Sequence, residues 1–457
     1  MATQEPLVFT VTRLSPELIC PEKPTPREYK LLSDIDDQET CRFQVPIIQF
    51  YRNNNSVVDV LKKDPVKVIR EAISKTLVFY YPFAGRLQEG AGRKLAVECT
   101  GEGVLFIEAN ADVTLEQFGD ALYPPFPCIE ELLFDVPGSA EILNTPLLLI
   151  QVTRLKCGGF VLALRHNHTI CDAAGFVQFM TALAEIARGA SVPSIHPVWQ
   201  RELLNARDPP RITCTHPEYD DVADMKETMI PTAEIVQRSF FFGPAEILAM
   251  RRLVPPRFRK CSTFEVLTAF LWRSRTCSLE LDPEEEVRLL CVINARGNFN
   301  PSLPLGYYGN AFAFPAALTT AGKLCQSPIE YALELVMKTK EVFNEEYMKS
   351  VADLMVLKGR PHFTVVRTFF VSDLTRAGFG TVDFGWGRPA YGGPARGGTV
   401  NSFFIPFKNK KGEKGIVVPV WLPASAMEKF ALEIDGMLKN NYQFVTEKTS
   451  LPIKSAL

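Results

Sequence analysis

Two histidines and an aspartate stand close together in RHNHTICDAAG, residues 165 to 175, in a chain with 5 histidines among 457 residues. His166 and His168 are two apart, and Asp172 follows His168 at the fourth place. Four chemistries suit these types. In the first, His168 is a general base, because imidazole titrates near neutral pH, and Asp172 fixes the local geometry. In the second, His166, His168 and Asp172 bind zinc, although a closed site wants a fourth ligand and no other motif supplies one. In the third, Cys171 is a nucleophile served by His168, an arrangement for which adjacency in sequence is a poor guide. In the fourth, the histidines are satisfied core residues and Asp172 only caps a helix. Spacing alone leaves all four open.

The flanking residues say which elements carry these groups. GGFVLALRHNH alternates as a strand does, so Leu162, Leu164, His166 and His168 share one face, with both histidines at the strand's end. On that face His166 would touch a ligand beside His168 or stand behind the residues that do. After a short turn, DAAGFVQFMTALAEIARG reads as a helix with Phe176, Phe179, Met180 and Leu183 on its apolar stripe and Asp172 as N-cap. Upstream, Asp64 and Pro65 open another helix, striped by Ile69, Ile73 and Leu77, which stops near Tyr80. Strand-like and helical periods interleave throughout, so the fold class is α/β. A chain of 457 residues exceeds one ordinary core. The stretch 190–222, with five prolines and little periodicity, reads as a long crossover between an N-terminal domain (1–189) and a C-terminal domain (223–457). SFFIPFKNKKGEKGIVVPVWLP reads as two strands joined by a solvated tip bearing Lys408, Lys410, Lys411 and Lys414.

Composition removes several classes. A net charge of −2 argues against nucleic acid as a partner. The 11 cysteines are odd in number and never spaced C-x-x-C, which reads as reduced thiols in an intracellular protein. No basic-then-apolar leader and no run of about 18 apolar residues is present, so the expectation is a soluble, cytoplasmic protein without a membrane partner. Ser455-Ala456-Leu457 keeps the two ends of a peroxisomal S-K-L address, which makes the peroxisome the alternative.

Two further stretches stand out. TVDFGWGRPAYGGPARGG sets Asp383, Gly385, Trp386 and Gly387 in a row, two glycines around a large ring, which implies tight backbone turns. Its D-F-G does not signal a kinase, since the glycine-rich loop, strand lysine and H-R-D loop are missing. RRLVPPRFRKCSTFE gathers Arg251, Arg252, Arg257, Arg259 and Lys260 before a helix start, where Ser262 and Glu265 form a capping box and Thr263 lies in the first turn. That is either an anion site or a solvated basic loop.

HTICD (168–172) and DFGWG (383–387) together resemble the two hallmarks of the BAHD family of plant acyl-CoA-dependent acyltransferases, in the family's order and at about its separation. YPFAGRL (81–87), STFEVLTAFLWRSR (262–275), INARGNFNPSLPLGYYGNAFAFP (293–315) and VSDLTRAGF (371–379) are family-like too, so the resemblance covers essentially the whole chain. HTICDAAG and YYGNAFAFP look most like the branch that esterifies alcohols. The resemblance implies two similar-sized domains akin to chloramphenicol acetyltransferase, joined by the crossover, with an active-site channel between them. It implies a monomer with acyl-CoA as co-substrate, an alcohol as acceptor, no resident cofactor and no metal. His168 Nε2 would deprotonate the alcohol, no acyl-enzyme would form, and the Ser372 hydroxyl would donate to the oxyanion. Some relatives carry tryptophan where Leu374 stands. Asp172 would turn from the channel to pair with Arg296, orienting His168, while Asn298 replaces a second arginine found in many relatives. Asp383, Gly385, Trp386 and Gly387 would shape the coenzyme A side structurally, and Ser262, Thr263, Arg257 and Arg259 would meet its phosphates. The branch implies a benzoyl group and benzyl alcohol as substrates. The alternatives are an aliphatic alcohol, terpenoid or amine acceptor, or a non-catalytic member that binds acyl-CoA or a partner.

Overall fold

The alternating run around the histidines forms the strand Phe160–Asn167, buried along its whole length. This comes from a computed structural model that describes residues 7–53, 64–119, 122–220 and 235–448, with side chains to residue 438. The strand is covered on both faces. Phe160, Leu162 and Leu164 enter one apolar core, and Val161 and Ala163 enter another. It pairs antiparallel with Gln44–Tyr51 on one side and Leu148–Leu155 on the other. These are the centre of a seven-stranded sheet in the order Val11–Arg13, Val104–Ala111, Leu148–Leu155, Phe160–Asn167, Gln44–Tyr51, Tyr391–Pro394, with Glu17–Ile19 also on Val104–Ala111.

The helices Pro65–Phe79 and Ala173–Ala187 lie against each other in the first of those cores. Both start as their sequences predict. Asp64 accepts the Val66 amide at 3.2 Å, and Asp172 accepts the Gly175 amide at 3.0 Å. Each cap satisfies an amide that the helix cannot satisfy itself.

A second, six-stranded sheet runs Ile235–Phe242, Lys414–Pro423, Asn401–Lys408, Thr368–Asp373, Glu286–Cys291, Ala316–Thr320. Its core wraps the helix Thr263–Leu279. The lysine-bearing hairpin is present, with Lys408 opposite Lys414. From 190 to 220 the chain is irregular save for two short turns of 3-10 helix, Arg201–Leu204 and Pro217–Tyr219. A later stretch returns to the first sheet. Leu374, Phe379, Val382, Phe384 and Trp386 are buried in the first core, and Tyr391–Pro394 pairs antiparallel with Gln44–Tyr51. No described helix is long and apolar enough to cross a membrane. Ser455, Ala456 and Leu457 lie outside the described residues.

Candidate active site

The histidine strand ends in a turn made by its own side chains. Asn167 Oδ1 accepts the Thr169 amide at 3.1 Å and the Thr169 hydroxyl at 2.7 Å, which turns the chain toward the Asp172 cap. His168 stands at this turn with its amide bonded to the Phe43 carbonyl at 2.9 Å. The Phe43 and Phe312 rings flank the imidazole at 5.3 and 5.8 Å between centroids.

The other wall comes from a short ladder, Ile293–Asn294 against Phe312–Ala313, extended by the Ala295 amide to the Ala311 carbonyl at 2.8 Å. That register places Arg296 and Asn310 beside the histidine turn. Arg296 grips Asp172 with both terminal nitrogens, at 2.7 and 2.9 Å, and also donates to the Gly309 carbonyl at 2.7 Å. Asp172 further accepts the Ala311 amide at 3.0 Å. Burial alone would raise this carboxyl, but Arg296 and the two amides hold it below the usual carboxylate range. A bidentate, charge-assisted pair of this kind fixes orientation as well as charge.

Two more groups grip the same turn. Asn310 Nδ2 donates to the His168 carbonyl at 2.8 Å, and Arg201 Nη2 to the Ile170 carbonyl at 2.8 Å. Both are anchored on the buried carboxylate of Asp36, which accepts Arg201 Nη1 at 3.0 Å and the Asn310 amide and side chain at 2.8 and 2.9 Å. Arg201 is also sandwiched among Trp199, Tyr307 and Tyr308. Thus the carbonyls of His168 and Ile170 and the carboxylate of Asp172 each have a fixed donor. The sequence reading missed Asp36, Arg201 and Asn310.

His168 is half-buried, yet its Nδ1 is enclosed without a partner among the described residues. Burial lowers the proton affinity of the ring below the ordinary histidine value. The imidazole is therefore neutral at neutral pH, and Nε2 is the nitrogen left to meet a ligand.

The expectation that His166 touches a ligand is corrected. It is 2 % exposed and stacks on Phe176 at 3.9 Å, and burial pushes its pKa down to about 3. Because both faces of the strand are covered, alternation did not mark an open face. The zinc reading loses its third ligand, since both Asp172 oxygens are committed to Arg296. Among the described residues, no cluster of three or more His, Cys, Asp or Glu could hold a metal. Cys171 is fully buried and its thiol is pushed well above the ordinary value, against the nucleophile reading.

The other candidate residues are spread around this centre. Ser372 is half-buried on Thr368–Asp373. Strand alternation puts it on the side of Phe370, which packs on Phe314 at 5.5 Å, and of Leu374, which is buried in the first core. Asp383 closes the DFGWG loop on itself, its Oδ1 accepting the amides of Gly385 at 2.7 Å and Gly387 at 2.8 Å. Both glycines have φ near +106° and +85°, where a side chain would be strained. Trp386 packs edge-on against Phe160 at 5.3 Å, so the loop buttresses the histidine strand from its far end.

The basic loop is partly committed to partners of its own. Ser262 and Glu265 form the capping box, Thr263 accepts from Arg251 at 3.2 Å, and Arg257 reaches Glu334 at 3.2 Å. Arg259 lines a cavity of about 370 Å³ with Arg251, Arg252 and Phe258.

This geometry can be set beside known proteins. The Transferase family matches residues 9–437. The chain belongs to this family, the BAHD acyltransferases. The acyltransferase is 70% identical to benzyl alcohol O-benzoyltransferase of Nicotiana tabacum over 438 residues, 95% of each chain. It is 68% identical to benzyl alcohol O-benzoyltransferase of Petunia hybrida over 447 residues, 97% of this chain and 96% of that one. Among solved structures, vinorine synthase superposes with a TM-score of 0.72 at 21% identity, covering 94% of this chain and 98% of the other. That likeness shows the shared fold, the two-domain α/β architecture of the family.

Proposed function

We propose that the chain is an acyl-CoA-dependent O-acyltransferase that moves a benzoyl group from coenzyme A to benzyl alcohol. The observation that carries the mechanism is His168, a neutral imidazole on a turn whose carbonyls and cap are fixed by Asn310, Arg201 and Arg296. The near full-length relatives named for this reaction support the substrates. So do the aromatic faces of Phe43 and Phe312 beside the ring.

In this reading the benzyl alcohol hydroxyl donates its proton to His168 Nε2 as its oxygen attacks the thioester carbonyl. The carbonyl oxygen becomes an oxyanion, for which Ser372 is the proposed donor. When the tetrahedral intermediate collapses, the C–S bond breaks and the coenzyme A thiolate leaves, reprotonated from His168. No acyl-enzyme forms and Cys171 takes no part. Asp172 and Arg296 are positioning residues, and DFGWG is a structural loop. Ser262, Thr263, Arg257 and Arg259 are proposed to meet the coenzyme A phosphates, the arginines rearranging from their present partners. The channel is proposed to lie between domains at 1–189 and 223–457 of a cytoplasmic monomer.

The test is an assay of coenzyme A release by purified protein, with benzoyl-CoA and acetyl-CoA each offered to benzyl alcohol and to short aliphatic alcohols. Fastest turnover is expected with benzoyl-CoA and benzyl alcohol. No ester from any pair would remove the alcohol assignment.

A further inference from the structure

The crossover meets the histidine turn through Arg201, the first residue of the short helix Arg201–Leu204. Three features of its surroundings exceed what a linker needs. The first is burial. Arg201 is 1 % exposed, and its carboxylate partner Asp36 is fully enclosed. Burial works against the charge, but Asp36 outweighs it and raises the guanidinium above the ordinary arginine value. The second is the room made for it. A Cβ on Gly309 would stand 1.7 Å from Nη1 and 2.6 Å from Cζ, so a glycine at 309 is what admits the group. The third is backbone strain. Gln200, just before it, is held at φ +30°, in the left-handed region that side chains rarely adopt. Strain of this kind persists where the surrounding contacts impose it.

The guanidinium is used in several directions at once. Nη1 donates to both Asp36 oxygens, at 3.0 and 3.1 Å, and Nη2 donates to the Ile170 carbonyl at 2.8 Å. The rings of Trp199 and Tyr308 lie 4.3 and 4.8 Å from Cζ. Ile170 stands between His168 and Asp172, and its amide bonds back to the Asn167 carbonyl at 3.1 Å. Arg296 therefore holds the turn at its Asp172 end, and Arg201 holds it at its middle. A lysine would carry the same charge, but its single nitrogen and lack of a flat face cannot serve the carboxylate, the carbonyl and the rings together.

We propose that Arg201 is a positioning residue for His168: its planar guanidinium, brought in on the crossover, sets the turn that presents the imidazole to the alcohol. The inference rests on His168 being the general base. Shape is what the turn takes from Arg201, so charge alone does not replace it.

The experiment measures kcat and both KM values for wild type, Arg201→Lys and His168→Ala at equal folded concentration, with benzoyl-CoA and benzyl alcohol. Arg201→Lys keeps a positive charge beside Asp36 but loses the grip on Ile170. Its kcat is expected to fall about 10- to 100-fold, as small displacements of a catalytic group do, with little change in either KM. A merely structural arginine would lower the amount of folded enzyme and leave kcat per folded molecule intact, and that outcome overturns the proposal. In case Arg201→Lys does not fold, Trp199→Leu decides. It removes a ring from beside the guanidinium and leaves the Arg201–Asp36 pair in place, so kcat should fall several-fold with both KM values held. Full kcat in that variant overturns the proposal. An inactive His168→Ala beside a fully active Arg201→Lys removes this inference alone. Inactive wild type, or His168→Ala at full rate, removes the acyltransferase reading and this inference with it.

Discussion

At the scale of single residues, the site depends on buried charges that are paired and on histidines that are kept neutral. Removing one partner of a buried pair costs more than the pair contributes, because the other charge is left without compensation. Asp172→Ala strands Arg296 and uncaps the helix Ala173–Ala187, so urea denaturation should show a loss of about 3–5 kcal/mol. Asp172→Asn, which keeps the shape and a cap acceptor, should lose less. His166 gives a second prediction. Its pKa is depressed to about 3 from an ordinary 6.5, so below pH 6.5 the unfolded chain binds a proton that the folded chain refuses. Stability contributed above that pH is lost as pH falls toward 3. His166→Phe, which keeps the stack on Phe176, should flatten the acid side of a stability-versus-pH curve, and an unchanged curve would contradict the burial argument. His168 and Asp172 stood out in the sequence by type and spacing, and Arg296 was named through the family resemblance. Asp36, Arg201 and Asn310 did not stand out, since each is an ordinary polar residue whose hydrogen-bond partners in tying down the histidine turn lie 31 to 274 positions away.

At the scale of elements, the histidine turn is held by close approach as much as by hydrogen bonds. A Cβ on Gly175 would come within 2.0 Å of the Tyr308 carbonyl oxygen and 3.0 Å of Cys171 Cβ. The last residue of HTICDAAG is thus a glycine because the first turn of the helix lies directly on the 307–311 segment. Gly175→Ala must push the two apart, and with them Asp172, Asn310 and the histidine turn. It should cost about 1–3 kcal/mol and lower kcat more than KM, measured by urea midpoint and steady-state rates. Full kcat would show that the contact does not position the base. The strand and its capped helix were readable from alternation and the Asp172 cap, and a short turn between them was expected; that Asn167 makes this turn with Thr169 was not. Which face of the strand was open was not readable, because a strand buried on both sides carries no polar face to mark.

At the scale of the whole molecule, the two halves of the chain meet through late residues that return to the first sheet. Tyr391–Pro394 pairs with Gln44–Tyr51, the strand that also borders the histidine strand. Gln49 reinforces the joint by donating to the Phe379 carbonyl at 2.7 Å. A Cβ on Gly392 would stand 2.6 Å from that same carbonyl oxygen, so Gly392→Ala should lower stability by about 1–3 kcal/mol in urea denaturation. An unchanged midpoint would mean that the strand contributes nothing to the joint. The α/β class and the lysine-tipped hairpin followed from local patterns. The pairing of residue 50 with residue 391 did not, because nothing in a local period specifies a partner 341 positions away.

The central claim is that His168 is the base for acyl transfer from coenzyme A. The most direct measurement is kcat of His168→Ala against wild type with benzoyl-CoA and benzyl alcohol, at equal folded concentration. A positioned general base is worth about 10²- to 10⁴-fold, so the account predicts a loss in that range or beyond. A variant that keeps its rate to within a few-fold would contradict it.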